Sequence, residues 1–181
     1  GLAALYERAL ATRNRQEQEI EIASPDGTRA WCRAIVVPVD ADTVTAITIL
    51  AELHDFRRFR TPSELMAYLG LTPSEHSSGN RVQRGGITKT GNSHVRRVLT
   101  ETAWNYRFRP TVSGALKKRR EGQPAAVIAL ADAAQQRLHQ RHVHLRDRLC
   151  KPHNVVNTAV ARELVGFIWA VMQLQSVSKA A

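Results

Sequence analysis

Apolar residues recur at helical spacing along most of this chain. Val95, Leu99, Thr102, Ala103 and Tyr106 stand at i, i+4, i+7, i+8 and i+11. They form one inward stripe on a helix that starts after the cap residue Asn92 and stops at Pro110. Further on, Ile128, Ala131, Gln135, Leu138, His142, Leu145 and Leu149 alternate spacings of three and four. That pattern predicts a long helix from Pro124 to Leu149, about 39 Å at 1.5 Å per residue. The seam contains two polar members, Gln135 and His142. It has two readings, a core-facing stripe or a coiled coil in which those two residues face their mates on a second copy. His153 to Leu174 reads as a last helix, apolar nearly all round over 164–172 and therefore buried.

Local signals divide the rest. Residues 2–20 are good helix formers without Gly or Pro, Ser24-Pro25-Asp26-Gly27 is a turn, and Trp31 to Val37 is a short apolar-rich stretch. Pro38 to Asp42 connects to a helix over Val44–Leu53. Thr61-Pro62-Ser63-Glu64 is a helix start, with Thr61 as cap, Pro62 in the first turn and Glu64 closing a capping box. Gly70 ends that helix. Residues 71–91 are rich in Gly, Pro, Ser and Thr and read as loop or short hairpin. The expected fold class is all-α, a helical domain with this Ser/Gly/Arg-rich loop between helices. The expected divisions are an N-terminal helix and linker over 1–28, the main domain over 29–174 and a tail over 175–181.

Length and composition narrow the function classes. The chain has 181 residues, 43% hydrophobic and 23% charged, which excludes wholesale disorder and fits one domain. The longest unbroken apolar run, Leu164 to Met172, is nine residues. A span needs about 20, so no membrane partner is expected. The first residue is Gly1 and no secretory signal is visible, so a piece of a longer protein is expected. Two widely separated cysteines, Cys32 and Cys150, suggest neither zinc nor a disulfide framework and fit the cytoplasm.

Charge changes the picture more. The formal net charge is +10, and residues 57–151 carry 19 basic groups against 6 acidic ones. Most of the basic residues are Arg, whose planar guanidinium forks onto phosphate. This is the footprint of a nucleic-acid binder, or else a solvated Arg-rich surface. Within 71–97, Ser77-Ser78-Gly79 is followed by Arg81, Arg84, Lys89, Asn92, Arg96 and Arg97, with Gly85, Gly86 and Gly91 interleaved. Donors, positive charge and close backbone approach are what a phosphate needs. A flexible solvated loop has the same composition. Arg96 and Arg107 lie 11 residues apart and share a second helix face.

Read in order, four blocks make a more specific string. They are Ser63-Glu64-Leu65-Met66-Ala67-Tyr68-Leu69-Gly70-Leu71-Thr72-Pro73-Ser74-Glu75 with Phe59 ahead of it, then Ser77-Ser78-Gly79, then Gly86-Ile87-Thr88-Lys89-Thr90-Gly91-Asn92, then Val95-Arg96-Arg97-Val98-Leu99. The string resembles the C-terminal transposase domain of the DEDD-type insertion-sequence transposases, the family named for insertion sequence one hundred and ten. The stretch from Ala161 to Ala170 resembles that family's closing helix, and the resemblance runs over about residues 30–172.

The resemblance implies a DNA transposase or recombinase in which the serine directly before the glycine, Ser78, attacks a DNA phosphodiester and forms a transient phosphoserine link. It implies DNA and guide-RNA partners and a homo-oligomer on DNA. Arg81, Arg84, Lys89, Asn92, Arg96 and Arg97 are the expected nucleic-acid contacts. No metal site is expected in this chain. Mg²⁺ belongs to an N-terminal nuclease-like domain that nothing before residue 30 resembles, so the fragment alone is expected to be inactive. Asp40, in the hairpin Val39-Asp40-Ala41-Asp42, and His54 both stand where the family tends to have glycine. For Asp40 the expected role is a helix N-cap.

Other residues offer weaker chemistry. His139, His142, His144, Cys150 and His153 suggest zinc, but on a helix His142 and His144 point about 200° apart. Trp104, Tyr106 and Phe108 suggest base stacking, with Tyr106 assigned to the inward stripe. His76 beside the serines suggests a general base. The leading alternative is a nucleic-acid-binding or assembly module derived from a transposase that has lost catalysis.

Overall fold

A computed structural model describes residues 20–23, 29–32, 43–78 and 81–178. Two short antiparallel strands come first, β1 (Ile20–Ala23) and β2 (Arg29–Cys32), with Ile20 opposite Cys32. Residue 20 is thus strand where helix was expected. Residues 2–19, the turn at 24–27, most of the 31–37 stretch and the Asp40 segment lie outside the described residues.

The remainder is helical with one small hairpin. The helices are α1 (Thr43–Leu53), α2 (Pro62–Tyr68), α3 (Ser93–Ala103), α4 (Gly114–Arg120), α5 (Ala125–Val143) and α6 (His153–Ser178). The hairpin strands, β3 (Pro73–Glu75) and β4 (Arg84–Ile87), lie between α2 and α3. The all-α expectation holds.

Helix α6 is the axis of the fold and packs against α2, α3 and α5. Its Val156, Val160, Leu164, Val165 and Ile168 meet Leu65 of α2 and Leu69 just after it, Val95 and Leu99 of α3, and Leu138 of α5 in one core. Each such side chain contributes roughly 1.5–3 kcal/mol when buried. Trp169 Nε1 donates to Phe59 O at 2.8 Å, which fastens the segment before α2 to the same helix. The span His153–Leu174 is long and apolar enough to cross a membrane by length and composition, with a mean hydropathy of 1.4. In the fold, its apolar positions supply the core.

The heptad seam faces this core. Ala131, Gln135, Leu138, His142 and Leu145 are buried by the chain's own elements, so no second copy faces Gln135 or His142. The α-helix ends at Val143 and widens into a π-helical turn, His144–Arg148, where Leu149 N–H donates to His144 O. Cys150 then takes φ +49° and Pro152 follows. Leu149 is carried outward by the wider turn and is 49% exposed.

Burial holds the His142 imidazole below the usual histidine range, with the Asp147 carboxylate opposing and His139, His153 and Arg107 reinforcing the shift. Its Nε2 has no hydrogen-bond partner among the described residues. The native state therefore resists a proton that the unfolded chain accepts below its ordinary value of 6.5. Stability is expected to be flat with respect to this group above that pH and to fall as pH drops below it. Thermal midpoints at descending pH, compared with those of His142→Leu, check this. The substitution should flatten the slope, and an unchanged slope would move the effect to another group.

Candidate nucleic-acid interface

The site is assembled from a hairpin and the two helices that root it. At the outer end, Ser78 and Arg81 exchange both backbone hydrogen bonds, at 3.2 and 3.1 Å. Below them His76 N–H donates to Gln83 O at 2.9 Å, and Glu75 pairs with Arg84 across the strands. Ser74 Oγ donates to Gly86 O. Ser78 therefore sits near the turn of an exposed two-stranded arm, as the loop-or-hairpin reading allowed.

The two serines differ in their hydroxyls. Ser77 Oγ donates to Glu75 Oε1 at 2.7 Å and accepts from Gln83 N–H at 3.3 Å. It ties the arm together. The Ser78 side chain is exposed and makes no hydrogen bond among the described residues.

The arm's base is held by backbone contacts. Thr88 N–H donates to Thr72 O at 2.9 Å and Lys89 N–H to Gly70 O at 3.1 Å. Gly70 and Gly91 both take positive φ, +63° and +70°. A Cβ on Gly91 would overlap Tyr68 O, and one on Gly70 would overlap the Thr90 backbone. The two glycines let the end of α2 lie directly on the 89–91 loop.

The predicted contact residues divide into two sets. Arg81, Arg84, Lys89 and Arg97 are exposed, with Arg84 only 3.9 Å from Glu75 and Arg97 3.8 Å from Glu101. Ion pairs this exposed are weak and are readily exchanged for phosphate. Arg96 and Asn92 turn inward instead. Arg96 Nη1 donates to Leu69 O and to Thr90 O, both at 2.9 Å, and clamps α2 to the loop. Asn92 Oδ1 caps α3 by accepting from Val95 N–H, while its Nδ2 donates to Glu52 Oε2 at 2.8 Å. These bonds position the arm. Arg107 does not share a task with Arg96, because the chain tightens into a 3₁₀ turn over Trp104–Arg107.

Glu52 was missed by the sequence reading. It accepts from Asn92 and lies 3.1 Å from His94 Nδ1, and these hydrogen bonds hold its carboxyl below the usual range. No local pattern marks it, since its partners lie 40 and 42 residues away. His54 adopts φ +52°, the conformation glycine favours, just after α1. The Glu64 carboxylate reaches Arg60 N–H, one residue before the cap Thr61 that it was expected to bond.

Among the described residues no group of three or more His, Cys, Asp or Glu comes together. Glu75, the acid nearest Ser78 in sequence, is already bonded to Ser77 and paired with Arg84.

Comparison with known proteins gives consistent results. Residues 41–117 match the Transposase IS116/IS110/IS902 family. The chain is 46% identical over 160 residues to a putative transposase of Sinorhizobium fredii, covering 86% of this chain and 41% of that protein. It is 32% identical over 114 residues to the transposase for insertion sequence element IS1533 of Leptospira borgpetersenii, covering 59% of this chain and 31% of that one. A probable family 20 transposase of Pseudomonas aeruginosa is 27% identical over 133 residues, 74% of this chain and 32% of its own length. The chain thus spans 31–41% of the length of these relatives. No solved structure matches it.

Proposed function

We propose, from the premise that residues 41–117 carry a domain of the IS116/IS110/IS902 transposase family and that the chain's relatives are transposases, that this chain supplies the nucleophile for DNA transposition. The observation that carries the reading is the contrast between two adjacent serines. Ser77 is consumed in holding the arm, while the Ser78 side chain is exposed and has no partner among the described residues. Arg81 and Arg84 share the arm with it and Lys89 and Arg97 stand exposed at the arm's base as phosphate contacts, and Arg96 and Asn92 position the arm behind them.

In the proposed step, Ser78 Oγ bonds to a DNA phosphorus. One phosphodiester P–O bond breaks, the released sugar oxygen takes up a proton, and the serine proton passes to a base. A second DNA hydroxyl reverses the exchange, so bonds balance without an energy source. A serine hydroxyl needs activation at neutral pH, and among the described residues no group of three or more His, Cys, Asp or Glu comes together. Any divalent cation is proposed to come from the part of the relatives' length that this chain does not span. A guide RNA and a homo-oligomer on DNA are part of the same proposal.

The test joins this chain to the segments of the Sinorhizobium relative that it does not match. The product is incubated with insertion-sequence end DNA, candidate guide RNA and Mg²⁺. A denaturant-resistant DNA adduct is expected, and it should be absent in Ser78→Ala. An adduct that survives Ser78→Ala overturns the assignment.

A further inference from the structure

A second feature lies away from the serine arm. The 3₁₀ turn Trp104–Arg107 and the residue after it form a stack. The Arg107 guanidinium carbon lies 4.4 Å from the Trp104 ring centre and 4.2 Å from that of Phe108. Behind Trp104, the His153 ring follows at 5.3 Å. The order is His153, Trp104, Arg107, Phe108. Phe108, at the end of this ladder, is 61% exposed.

An exposed phenyl ring backed by a guanidinium is an apolar face on a cationic support. Its surroundings are basic. Arg109 follows directly and is exposed. His139 Nδ1 lies 3.0 Å from Tyr106 O and joins the turn to a cleft of about 610 Å³ lined by Arg137, His139, Arg141, His144 and Arg148. Glu163 partly neutralises Arg137 and Arg141, at 3.2 and 3.1 Å. Arg109 and Arg148 make no ion pair among the described residues.

We infer that Phe108, supported by Arg107 and Trp104, is a stacking platform for an unpaired nucleotide base, with Arg109 and the 137–148 cleft receiving the adjoining phosphates. The inference rests on the nucleic-acid-binding part of the proposed function and adds the form of the ligand, a single strand. A π-face next to fixed positive charge suits an unstacked base and its backbone. A duplex keeps its bases stacked on one another and offers the ring nothing.

The experiment measures binding of the full 181-residue chain to fluorescein-labelled oligothymidylate, oligouridylate, an abasic strand of equal length and a duplex. Phe108→Ala is expected to weaken binding of the two base-bearing single strands by roughly 5- to 100-fold, the range seen per stacked base. Binding of the abasic strand and the duplex should change less than about twofold, and the salt slope should stay the same because no phosphate contact is removed. Arg107→Lys keeps the charge but removes the planar stack, and should follow Phe108→Ala. The thymidylate and uridylate arms tell a DNA strand from an RNA strand. Equal losses on single strand, abasic strand and duplex, or no loss on any, overturn the inference and leave the serine assignment standing. Failure of the unaltered chain to bind any nucleic acid at low salt overturns both.

Discussion

Ser78→Ala and Ser77→Ala should separate by orders of magnitude in a strand-exchange assay of the joined protein. Removing a nucleophile leaves only binding and positioning, and in enzymes with a serine nucleophile the loss is on the order of 10⁴-fold or more. Ser77→Ala removes a different thing. It takes the donor from Glu75 Oε1 and the acceptor from Gln83 N–H in an exposed arm. Exposed hydrogen bonds contribute about 0.5–1.5 kcal/mol each, so the arm loosens but persists, and exchange should fall roughly 10-fold. Water can resatisfy the groups that are left. If Ser77→Ala were the inactive variant and Ser78→Ala the active one, the two hydroxyls would have been assigned the wrong way round.

Gly91→Ala should have the largest effect on stability. A methyl group there would overlap Tyr68 O, and the residue already holds φ +70°. Neither strain can relax alone, because the facing atom is backbone at the end of α2. Arg96 also fixes both sides by bonding Leu69 O and Thr90 O. A loss above about 4 kcal/mol is expected, against a total that is commonly about 5–15 kcal/mol. Gly86→Ala is the control, since a Cβ at Gly86 meets nothing within 4 Å. It should shift stability by less than about 0.5 kcal/mol. Denaturant midpoints of the two variants measure the difference, and equal midpoints would show that the contact between α2 and the 89–91 loop yields.

What the sequence determined is what neighbours in the chain decide among themselves. The caps at Thr61 and Asn92, the stop at Gly70 and the inward stripe from Val95 to Tyr106 all follow from residues a few positions apart, whereas 71–91 read equally as loop or hairpin until Pro73 met Ile87. Periodicity also showed that Gln135 and His142 share a face with Leu138. It did not show what that face meets, because a core and a second chain ask for the same spacing. Only the fold turned it onto α6.

The same division runs through the candidate site. That 57–151 is basic is a property of composition, and six residues of 81–97 looked alike as phosphate contacts. Tertiary structure sorted them. Arg96 found carbonyls 27 and 6 residues away, and Asn92 found a carboxylate 40 residues away. Arg81 and Lys89 remained facing solvent. A guanidinium or an amide takes whatever acceptor lies within about 3 Å, and which acceptors arrive there is settled by the packing of distant helices. The sequence supplied the donors, and the fold decided which of them face solvent.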